Sequence, residues 1–119
     1  MSTLIVENIS DGTSTIGITS TSKGSAKAWG SIAANGSLNA GYNVGSTATT
    51  GSGFSVTYTT PMSSSDYAIV GTPNNGSNSS FNYAVEIVAQ STTGFECWVR
   101  RSDGNAAPND GMMFAVFEN

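Results

Sequence analysis

Apolar and small polar residues alternate along much of the chain, and the alternation predicts its elements. In residues 54–59, Phe54, Val56 and Tyr58 take every second position and Ser55, Thr57 and Thr59 the others, as in a strand with one buried and one wet face. Residues 83–89 repeat the pattern, with Tyr83, Val85, Ile87 and Ala89 on one face and Glu86 opposite. Residues 95–100 place Phe95, Cys97 and Val99 inward and Glu96, Trp98 and Arg100 outward, which leaves Trp98 as the odd side chain on a polar face. The run from Met112 to Phe117 is apolar at every position, as in a strand covered on both sides by a second sheet or by a neighbouring subunit. Strands are expected over 28–32, 37–44, 53–60, 67–72, 81–89, 95–101 and 112–118. They are separated by polar segments at 35–36, 45–51, 61–66, 73–80, 91–94 and 102–111. That spacing predicts an all-β domain, an antiparallel β-sandwich of about seven strands. No internal repeat points to a solenoid.

Residues 1–25 differ in texture from the domain at 26–119. Two short strands are expected there, at 4–9 and 15–19, around an Asp11-Gly12 turn, followed by an apolar-free linker at 19–25. The segment has no aromatic residue and too little apolar surface to fold alone. It reads as an extended arm that attaches to something else, with Leu4, Ile5 and Val6 as its contact residues.

Composition excludes whole classes. Ser, Thr, Asn and Gly make up 58 of 119 residues and Leu occurs only at Leu4 and Leu38, which disfavours helix and rules out a helical bundle. Four basic residues, Lys23, Lys27, Arg100 and Arg101, stand against eight acidic ones for a net charge of -4, so the chain lacks the clustered cations that nucleic-acid binding needs. No apolar run is long enough to span a membrane, and the expectation is a protein made without a cleaved leader. The single cysteine, Cys97, permits no internal disulfide, and a domain this small gains from a partner that adds buried area.

Catalytic chemistry finds little to work with. There is no His to act as a base for any of the serines, and Lys23 and Lys27 sit in or beside the linker. Asp66, Glu86, Glu96, Asp103 and Asp110 read as solvated charges or turn residues rather than a glycosidase pair. Asp103-Gly104-Asn105 and Asn109-Asp110-Gly111 lack the ligand spacing of a calcium loop. The expectation is a protein that is not an enzyme and has no metal or cofactor. Four Asn-x-Ser/Thr matches are what chance supplies in so Ser- and Thr-rich a chain. What remains is loop surface able to exchange hydrogen bonds with hydroxyls: Asn74, Asn75, Asn78 and Asn82 in one loop, and Arg101, Asp103, Asn105 and Asn109 in another. Such side chains bind sugars when an aromatic ring supplies an apolar face, here Trp98, Tyr42 or Tyr83.

The order of Ala26-Lys27-Ala28-Trp29, Gly41-Tyr42-Asn43-Val44, the strand from Gly53 to Thr60 followed by Pro61-Met62, and Asp66-Tyr67-Ala68-Ile69-Val70-Gly71 resembles a family of bacteriophage tail-fibre and related virion-surface proteins of the cyanophage type. The opening Met1-Ser2-Thr3-Leu4 and the closing Phe114-Ala115-Val116-Phe117 are also similar to that family. Gly30-Ser31-Ile32 stands where the family continues with an aromatic residue. The resemblance implies a non-enzymatic structural protein of the virion, made in the host cytoplasm, and a homotrimer. It would serve as a tail-fibre or receptor-binding module that contacts other virion proteins and a host-surface glycan. The alternative it carries is a capsid decoration protein. A trimer would place Trp98, Met112, Phe114 and Phe117 at the subunit interface.

Overall fold

A computed structural model describes residues 2–17, 23–74, 82–106 and 111–118 of the chain. The described residues form ten strands: β1 (Asn8–Ser10), β2 (Thr15–Gly17), β3 (Ala28–Ile32), β4 (Leu38–Tyr42), β5 (Val44–Thr49), β6 (Gly53–Tyr58), β7 (Ala68–Pro73), β8 (Tyr83–Ser91), β9 (Gly94–Arg101) and β10 (Met112–Phe117). The fold is all-β and every strand pair is antiparallel. β1 and β2 form a hairpin, β4-β3-β10-β7 a four-stranded sheet and β5-β6-β9-β8 a second one.

The two four-stranded sheets share one core. Phe54, Val56 and Tyr58 from β6 and Phe95, Cys97 and Val99 from β9 are buried, as their alternation predicts. They meet Ala28, Ile32, Met112, Phe114 and Val116 from the other sheet. The Phe95 and Phe114 rings pack edge-on at 5.1 Å and 77°, a favoured aromatic geometry. The Cys97 thiol donates to Met112 Sδ at 3.2 Å. Close approach here depends on Gly30, whose missing Cβ would lie 2.8 Å from the Phe114 ring. Gly30 is therefore the residue of β3 that makes room for Phe114.

Residues 37–44 are not one strand, and 45–51 is not a loop. Asn43, at φ 57°, breaks the run into β4 and β5, which belong to different sheets. Asn is among the few residues that enter the left-handed region readily, and the reversal hands the chain from one layer to the other. β5 escapes recognition because it is an edge strand, largely exposed, and built from Gly, Ser, Thr and Ala after Val44.

Ala89 also moves. The register of β8 on β9 shifts between Ile87 and Ala89, so Tyr83, Val85 and Ile87 pack on the core while Ala89 lies opposite outward-facing Glu96. A bulge reverses the facing of every later residue.

The first arm strand is shorter and later than expected, Asn8–Ser10 rather than 4–9; the second covers Thr15–Gly17, and the rest of its expected range, 18–19, lies outside the described residues. Their turn is held by Asp11, whose Oδ1 accepts from Thr13 N at 2.9 Å and Ser14 N at 2.7 Å, with Gly12 in the positive-φ conformation. These bonds hold the Asp11 carboxyl below its usual range, that to Ser14 most strongly. The hairpin is almost wholly exposed, and among the described residues its main contacts are between its own two strands.

Candidate functional site

The Asn43 corner organises one end of the domain. Asn43 Nδ2 donates to the carbonyls of Lys27 and Thr60, both at 3.0 Å, and Thr60 N donates back to Asn43 Oδ1 at 2.7 Å. Thr59 N donates to the Asn43 carbonyl at 3.3 Å. One amide thus ties the start of β3, the β4–β5 corner and the segment after β6. Nearby, Glu118 Oε2 accepts from both the amide and the hydroxyl of Ser63, at 2.8 and 2.9 Å, which pins the end of β10 to the same place.

These ties leave a cavity of about 430 Å³ lined by Lys27, Tyr42, Asn43, Thr59, Thr60 and Glu118, among others. Its size falls in the range of small-molecule sites. Tyr42, 58% exposed, offers an aromatic face, Thr59 and Thr60 offer hydroxyls, and Lys27 and Glu118 put one charge of each sign on the rim. That set can stack on the apolar face of a pyranose and exchange hydrogen bonds with its hydroxyls. A second, shallower depression of about 290 Å³ lies over the outer side of β6, β9 and β8, beside Ser55, Thr57, Gln90 and Glu96.

The loop residues expected from sequence lie at the opposite end. Arg101, Asp103 and Asn105 are brought together, but they satisfy one another. Arg101 forms a forked pair with Asp103 at 3.1 and 2.6 Å, and Asn105 donates to Asp103 through its amide N–H and side chain at 3.1 and 3.0 Å. The Arg101 guanidinium, followed by the Asn105 N–H, holds the Asp103 carboxyl below its usual range. Asn74 is exposed at the same end, its backbone N–H donating to the Gly111 carbonyl at 2.9 Å. Asn75, Asn78 and Asn109 lie outside the described residues.

Two of the four expected interface residues are corrected. Met112 and Phe114 are 0% and 5% exposed inside the chain's own core, because β10 pairs with β3 so that Met112, Phe114 and Val116 share a face with Ile32, Gly30 and Ala28. Phe117 is half-buried on the outer face of β10. Trp98 is half-buried on the outer face of β9, where the Arg100 guanidinium lies 4.5 Å above its ring and pairs with Glu86 at 2.9 Å. The arm residues Leu4, Ile5 and Val6 are exposed.

Sequence reasoning singled out Tyr42 as a sugar platform but missed its neighbours. The one signal was Asn43 itself, a polar residue interrupting a strand pattern. Comparison with protein families, with curated proteins and with solved structures finds no match to this chain.

Proposed function

We propose that the chain is a structural, non-catalytic attachment module of a tailed-phage particle, a homotrimeric β-sandwich that binds a host-surface glycan. The observation that carries the binding half is the cavity at the Asn43 corner, where Tyr42, Lys27, Thr59 and Glu118 converge on a space of about 430 Å³. Its walls are cross-tied by Asn43 and Glu118, so little ordering remains to be done when a ligand arrives. The virion half rests on the resemblance of the Lys27 to Gly71 segments to tail-fibre and virion-surface proteins. A trimer of weak sugar sites, repeated on one particle, converts modest contacts into firm attachment through effective concentration.

A second reading, capsid decoration, is favoured by one feature. The β1–β2 hairpin carries exposed strand edges and exposed Leu4 and Ile5, which suit the addition of a strand to a capsid-protein sheet. Locating the chain in the intact particle by cryo-electron microscopy, with copy number from quantitative mass spectrometry, tests both. Few copies at a three-fold tail site support attachment. Hundreds of copies spread over the head contradict it and make the protein a cement.

A further inference from the structure

The outer face of the β4-β3-β10-β7 sheet is an apolar surface left exposed among the described residues. Register aligns Tyr42, Trp29, Ala115 and Val70 in one row across four strands, with Met113 beside them. Trp29 is 44%, Val70 63% and Met113 46% exposed. No outward-facing residue of β3, β10 or β7 is charged, although the chain carries a net charge of -4.

The hairpin presents the matching need. Ile9 and Ile16 are cross-strand partners and therefore share one face, while Asn8, Ser10, Thr15 and Gly17 take the other. Both isoleucines are more than half exposed, and Leu4 and Ile5 before them are 85% and 89% exposed. A two-stranded hairpin is marginal in water on its own, so an amphipathic one with a bare apolar face calls for a surface to lie on.

We propose that the β1–β2 hairpin of one copy docks its Ile9/Ile16 face, with Leu4 and Ile5, on the Trp29–Met113–Val70 face of the next copy. Seven large apolar residues, each 44% to 89% exposed, meet across the two surfaces, and with their polar rims they offer a contact on the order of the 1,000 Å² that a specific interface needs. An uncharged meeting of the two faces also avoids the repulsion that two like-charged copies bring elsewhere. Every copy supplies one arm and one face, so the contact is head-to-tail, and it forms a closed ring where the rotation from copy to copy closes. Tyr42, at the end of the row, stays with the cavity. The inference stands on the two surfaces alone and is independent of the glycan site and of the particle.

Sedimentation of the full chain and of two variants tests it. The wild type is expected at a multiple of the 12.2 kDa chain mass, and both the arm variant Ile9→Asp/Ile16→Asp and the face variant Val70→Glu at the monomer mass, with circular dichroism unchanged. Mixing the two variants should restore a one-to-one dimer, because one retains a good face and the other a good arm. The milder Ile9→Thr/Ile16→Thr and Val70→Thr pair serves if a charged variant misfolds, with association at least about tenfold weaker for each. A monomeric wild type overturns the proposal and returns the arm to its own chain. An oligomer that survives the arm variant overturns it in favour of face-to-face pairing, one that survives the face variant in favour of arm-to-arm pairing, and a mixture that stays monomeric overturns it outright.

Discussion

Asn43 grips Thr60 from both sides, accepting from its backbone N–H at 2.7 Å and donating to its carbonyl at 3.0 Å. The same side chain also donates to the Lys27 carbonyl at 3.0 Å, in a residue whose φ of 57° only Gly and Asn adopt at little cost. Asn43→Ala removes three hydrogen bonds and adds backbone strain, and is expected to lower stability in urea by about 2–4 kcal/mol. Asn43→Gly keeps the conformation and should lose about 1 kcal/mol less. Equal losses for the two would show that the strain is not felt at this corner.

Among the described residues the Tyr58 hydroxyl is the buried polar side-chain atom with no hydrogen-bond partner. Its neighbour Tyr67 donates instead to the carbonyls of Ser91 and Gly94, both at 2.8 Å. Burial, then the Tyr67 hydroxyl, then the Glu118 carboxylate push the Tyr58 pKa upward. Deleting a buried, unpaired hydroxyl removes a desolvation penalty. Tyr58→Phe should therefore leave the unfolding midpoint unchanged or raise stability by up to about 1 kcal/mol, whereas Tyr67→Phe, which removes the bonds to the Ser91 and Gly94 carbonyls, should lower it by about 1–3 kcal/mol.

Cys97 is fully buried, and burial pushes its thiol up to about 11. The thiolate is the reactive form, so a thiol reagent at pH 8 should label the native chain only at the rate of unfolding. Labelling should become fast and stoichiometric in denaturant. Rapid labelling of the folded protein would contradict the inward placement of β9.

Asp103 titrates below its ordinary value of 3.8, chiefly through the Arg101 pair. A carboxyl depressed by folding adds stability that is fully present above the unfolded pKa and is lost as pH falls through the folded one. The Arg101–Asn105 turn should thus hold its amide shifts at pH 5 and lose them only below about pH 4. Asp103→Asn should abolish that acid step in an NMR titration, leaving the step at Asp11 in place.

The strands that sequence exposed most clearly, β6 and β9, are those in which large apolar side chains alternate with polar ones, because each has one core face and one wet face. β10 gave a strand but no phase: six apolar residues in succession do not say which three point inward. Pairing with β3 decides it, since Phe114 sits over Gly30, where a Cβ would crowd its ring. β5 was hidden for the opposite reason, as an edge strand needs no large side chains to hold its place. The cavity was hidden by topology. Its walls come from the start of β3, the β4–β5 corner, the segment after β6 and the end of β10, and only the sheet exchange at Asn43 brings them together.

The central claim is that Tyr42 and its neighbours bind a host-surface glycan. Its most direct test is an NMR titration of the full chain with polysaccharide from the host surface, run beside Tyr42→Ala. Shifts concentrated on Tyr42, Lys27, Thr59 and Glu118, with binding at least about tenfold weaker in the variant, are the predicted result. Shifts confined to Asn74 and the Arg101–Asn105 turn, or binding that Tyr42→Ala leaves intact, would contradict the account.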